Sequence, residues 1–246
     1  MYKSTIRLLL LNAILVGSTL FASGQSWDYP VKPGSEEWAK LNDVSERIKA
    51  CQIPEDIVTK LPTEELFTLC TKHPFFRSYA FANSPIEGFR NSMGSFNGYS
   101  ELLKRPNALE VMADFYKKEN FSRIDTLKTD IAKGEYSLRL HGVELMMSND
   151  LLIGKLSAEK KKLFLKTIYA KYEEKLAYKE ELGGFGSVTT AFLAAKVIPT
   201  IAELKVISVL PASKKMESFQ TRMIPFDQDI VDPILKSLSA SLALLN

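Results

Sequence analysis

Few residues in this chain are of a type and spacing that could do chemistry. Cys51 and Cys70, the two cysteines, fall in the stretch ACQIPEDIVTKLPTEELFTLCTKHP together with His73, one of two histidines. Two thiols and an imidazole offer three chemistries: a disulfide, a reactive thiolate or a metal site. Cys-x-x-Cys spacing is absent, and a chain with only two histidines would need distant ligands to complete a zinc site. His73 precedes Pro74 at a helix end, where it can bond the last carbonyls.

His141 is the second imidazole. It lies between Leu138 and Leu145 on an apolar stripe, where a neutral ring needs a hydrogen-bond partner. The plainer reading is a core histidine, and the sharper one is an acid/base group. An aromatic run, HPFFRSYAFANSPIEGFRNSMGSFNGY, mixes Tyr79 and Phe81 with Glu87, Arg90 and Asn91. Aromatics beside charges and amides can line a cleft for a peptide or sugar. They also suit the interior of a small-helix fold, and Glu87 has a capping role in SPIEGF. If a pocket exists, these residues mark the first place to look.

Other motifs fail on context. GGFGS lacks the third glycine and the preceding strand of a dinucleotide loop, so it reads as helix termination. Ser95 is out of the G-x-S-x-G register, and H-E-x-x-H is absent. Glu pairs such as Glu173–Glu174 point about 100° apart on a helix and read as solvated faces. The sequence thus names no catalytic residue, cofactor or metal ligand.

The elements that position these residues are helical. Lys3 and Arg7 precede an apolar run of roughly 14 residues, shorter than the about 20 needed to span a bilayer, and small residues lead to Gln25. This pattern predicts a secretory signal peptide over 1–24, cut before Gln25, with no stable membrane insertion afterwards. In an oxidising compartment, Cys51 and Cys70 are expected to form a disulfide, with separately buried thiols as the alternative. Cleavage removes Lys3 and Arg7 and leaves a near-neutral chain, which gives no electrostatic case for nucleic acid.

Ser35 caps a helix predicted over 36–50, and Ser84 with Pro85 and Glu87 opens the next clear one. Asn97-Gly98 is read as a break. Ser122 with Asp125 forms a second box, and Ile124, Leu127, Ile131, Leu138, His141 and Leu145 share a stripe that Gly134 divides. Ser157 caps the longest helical segment, which GGFGS ends, and a short apolar helix follows over 188–198. Ile234, Leu238, Leu242 and Leu245 line one side of a C-terminal helix, a route to self-association. LKVISVL, over 204–210, is the one plausible strand, and a lone strand makes no sheet. The expectation is an all-α, irregular array of about ten helices, with the charged stretch at 117–123 dividing an N-terminal region (25–118) from a C-terminal one (119–246).

The segments YPVKPGSEEW, ACQIPEDI, TEEL and FNGYSELLKR occur in an order and spacing that resemble a family of exported bacterial proteins with no established activity. The similarity covers roughly 29–105. It implies export and a helical fold and supplies no catalytic residue. Two functions follow as expectations: a non-enzymatic binding or scaffold protein with an envelope or extracellular partner, or a hydrolase of peptide or glycan using His141 or Glu87.

Overall fold

A computed structural model describes residues 27–183, 185–204 and 213–245. The predicted signal peptide, most of the stretch read as a strand and Gly184 lie outside the described residues. Among the described residues the chain is all-α, with no strand.

Local capping explains where most helices start. α1 (Glu36–Ala39) begins at Ser35, whose side chain accepts from the Trp38 N–H, and α2 (Val44–Ala50) begins at Asp43, which accepts from Glu46. The single helix expected over 36–50 is therefore two, because Asp43 supplies a second cap inside the amphipathic run. α3 (Glu55–Val58) and α4 (Thr63–Lys72) each follow a proline. α5 (Pro85–Gly94) carries the expected cap, Ser84 accepting from Glu87 N–H with Pro85 in the first turn. Asn97 does not break the chain. It opens α6 (Asn97–Lys104), and its side chain accepts from Ile53 N–H at 3.0 Å and donates to Ile53 O at 2.6 Å.

α7 (Ala108–Lys118) leads into a 3-10 turn over Phe121–Thr126 that is packed rather than a linker: Phe121 and Ile124 are buried, and Phe121 N–H donates to Glu174 Oε1 at 2.9 Å. α8 (Asp130–Met147) is capped by Thr129 and runs unbroken through Gly134. The box expected at Ser122 is thus displaced to Thr129, and Ile131 faces solvent. α9 (Asp150–Lys155) is followed by α10 (Ala158–Leu176), which Ser157 caps. α10 ends ahead of the glycines; further turns reach Gly183, where φ is +65°, a conformation suited to glycine. α11 (Val188–Val197) is apolar on nearly all sides and sits inside the molecule, packed on α8, α10 and the last two helices, α12 (Lys214–Arg222) and α13 (Gln228–Leu245).

One continuous core runs through both halves. The aromatic run belongs mainly to it: Phe76, Tyr79, Phe89, Phe96 and Tyr99 are buried. Gly142 on α8 lets Phe76 approach, since a Cβ there would lie 2.7 Å from the Phe76 ring. Ile234 and Leu238 are fully buried, and Leu242 and Leu245, partly buried, pack against the core, so the C-terminal stripe is turned mainly toward the chain's own interior.

The expected Cys51–Cys70 disulfide is not formed. Both are free thiols with no exposed surface, and they pack as small apolar side chains. Residues beside Cys51 are held to the start of α6: Gln52 Oε1 accepts from Asn97 N–H at 2.9 Å, and Asn97 clamps Ile53. Burial pushes both thiols up, Cys51 to about 11, so neither supplies a thiolate near neutrality.

Candidate functional site

The residues singled out from sequence do not form one site. Tyr79 and His141 come together in the interior, each with its ring 6.4 Å from that of Phe185. Tyr79 Oη donates to Leu138 O at 2.6 Å. Phe81 is 91% exposed, and Asn91 is also on the surface. Glu87 is paired with Arg222, Nε to Oε1 at 2.9 Å, and Arg90 reaches Thr221 O, so these two tie α5 to α12. Arg222 holds the Glu87 carboxyl below its usual value.

His141 is fully buried, and neither ring nitrogen has a hydrogen-bond partner. Burial, and then the charge of Lys175, push its pKa well below the usual value, so the ring is neutral. No carboxylate, hydroxyl or thiol is bonded to it to complete an acid/base pair.

One helical turn on, Glu144 anchors a polar cluster that sequence reasoning missed. Its Oε1 accepts from Tyr116 Oη at 2.5 Å and Thr190 Oγ1 at 2.7 Å; its Oε2 accepts from Lys175 Nζ at 2.7 Å and from Thr189 Oγ1. Lys175 Nζ also donates to Thr190 Oγ1 at 2.9 Å and to Gly186 O at 3.1 Å, which uses all three of its protons. Burial lowers the Lys175 pKa, while Glu144 beside it favours the charged form. Tyr116 is raised well above its usual value by burial and the Glu144 charge. Each hydroxyl is committed to the carboxylate and the ammonium is saturated, so the cluster holds α7, α8, α10 and α11 together and offers no free nucleophile or base. A sequence signal did exist: Glu144 in HGVELMM and Thr189-Thr190 in VTTAFLAA are polar residues inside apolar runs.

Lys175 also forms part of the wall of a cleft of about 550 Å³ between α10 and α13, roofed by the turn around Gly183 and Gly186. Its apolar wall includes Leu176, Val231 and Phe226. Around it stand Tyr172 and the charged Lys179, Glu180 and Asp232, none of which is in an ion pair among the described residues. A second concavity of about 420 Å³ lies under the N-terminal segment, beside His73. A third, about 610 Å³ and mainly apolar, runs between α7 and α10 past exposed Leu163.

Among the described residues, no group of three or more His, Cys, Asp or Glu is placed to hold a metal ion. Among them, too, no helix is long and apolar enough to cross a membrane. No family model, curated protein or solved structure matches this chain.

Proposed function

We propose that this chain is an exported, non-enzymatic helical binding protein that takes its ligand in the cleft between α10 and α13. The observation that carries the reading is the set of unpaired charges there. Lys179, Glu180 and Asp232 face a cleft whose size is within the range of about 300–1,000 Å³ typical of ligand sites, beside apolar and aromatic surface. Charges of both signs with Tyr172 and Phe226 suit a peptide or a sugar bearing charged groups. The hydrolase reading has less support: Glu87 is occupied by Arg222, and His141 is sealed without an acid/base partner.

Export rests on the three-part N-terminal pattern and on the resemblance at YPVKPGSEEW and ACQIPEDI. The free thiols do not speak for an oxidising compartment. The mass of native protein tests it: recovery outside the cytosol beginning at Gln25 is expected, and recovery only from the cytosol with Met1 in place contradicts export.

Binding is tested by titrating the isotope-labelled chain with a panel of charged peptides and oligosaccharides. Chemical-shift changes should cluster on Tyr172, Lys179, Ser187, Phe226 and Asp232. Hydrolysis of a panel member, or changes confined to another face, would overturn the assignment.

A further inference from the structure

A second face, distinct from the α10–α13 cleft, is built by α7 and α10. Contacts at both ends set these helices side by side and parallel. Lys160, in the first turn of α10, bridges Glu110, in the first turn of α7, at 2.7 Å. Just past the other end of α7, Phe121 N–H donates to Glu174 Oε1 at 2.9 Å and Lys171 Nζ donates to Glu119 O. Both helices rise equally per residue, so Ala113 stands level with Leu163.

Between the helices lies the hollow of about 610 Å³, lined by buried Leu109, Leu156 and Phe164. Leu163 stands beside it on α10, 64% exposed. An apolar knob next to an apolar hollow on one face is what a two-fold contact needs, because each copy's knob fills the other's hollow.

The charges are sorted to match. Glu110 and Asp114 flank the groove on the α7 side, and Lys160 and Lys166 flank it on the α10 side. A two-fold axis through the groove at the level of Ala113 and Leu163 lays α7 of one copy antiparallel on α10 of the other. Leu163 then falls over the second copy's Ala113. Glu110 comes level with the second copy's Lys166, Asp114 comes within one turn of its Lys160, and Lys117 comes level with its Glu159. The Glu110–Lys160 bridge within one chain joins two roughly half-exposed groups, so trading it for a bridge across the interface costs little. A helix from another protein would bring no reason for the two sides to be opposite in sign, whereas a second copy supplies both complements at once.

We propose that this chain forms a two-fold dimer through the α7–α10 groove, with Leu163 of each copy seated in the hollow of the other.

Sedimentation velocity of the native protein, from micromolar to millimolar concentration, should show a monomer–dimer equilibrium. Leu163→Glu, a change at an exposed position, should give only monomer with an unchanged Tm. Leu163→Ala should raise the dimer Kd about hundredfold, since two apolar contacts are lost per dimer. Glu110→Lys with Asp114→Lys makes both sides of the groove basic, and Lys160→Glu with Lys166→Glu makes both acidic. Each of these variants alone should be monomeric, and an equal mixture of the two should restore the dimer. A protein that stays monomeric at every concentration would overturn the proposal and leave the groove to a helix of another protein. So would a dimer that survives Leu163→Glu, or a charge-swapped mixture that stays monomeric.

Discussion

Four donors converge on the Glu144 carboxylate, and the arrangement is stable only while its charge partner stays in place. Glu144→Leu would strand the Lys175 ammonium in the core, so a loss of about 3–5 kcal/mol is expected in urea unfolding. Replacing both, Glu144→Leu with Lys175→Met, should cost less than the single change, because no unpaired charge then remains. His73 makes stability pH-dependent. Its folded pKa is lowered to about 4, so it contributes stability fully above its ordinary value of about 6.5, and that is lost as pH falls from there toward 4. His141 acts in the same direction. Urea midpoints measured from pH 7.5 to 4.5 should therefore fall, and less steeply in His73→Phe. At this scale the sequence disclosed burial but not partnership. His141 was legible as buried from its stripe, whereas Glu144 and Lys175 sit 31 residues apart, and a helix pattern assigns lone charges to the wet face by default.

α8 contains two glycines with opposite roles, and substituting them should have opposite effects. A side chain at Gly134 meets nothing within 4 Å, so Gly134→Ala should gain up to about 1 kcal/mol from helix propensity. Gly142→Val should lose about 1–3 kcal/mol, because its methyls would run into the Phe76 and Tyr79 rings. Thermal unfolding of the pair checks both signs. Caps were the most legible feature of the helices, since a Ser at N-cap is a local signal: Ser35, Ser84 and Ser157 all cap as expected. Asp43 was hidden because the periodicity on either side of it continues, and Asn97 misled because its amide binds Ile53 in a distant loop, a contact that local reading does not contain. Asp43→Ala should cost about 1 kcal/mol and fray α2.

For the molecule as a whole, the all-α class followed from the spacing of apolar residues, but the position of the candidate site did not. The aromatic run around Tyr79 and Phe89 fitted a core or a cleft lining and is mostly core, since apolar content alone does not say which face meets another helix. The cleft itself is assembled from α10, the turn after it and α13, stretches whose proximity depends on how α11 seats between α8 and α13. The most direct measurement is calorimetric affinity for one ligand from the peptide and glycan panel, compared between the unmodified chain and Lys179→Ala/Asp232→Ala. Binding at least about tenfold weaker with an unchanged Tm is predicted. Equal affinity in the two proteins, or turnover of the ligand, would contradict the account.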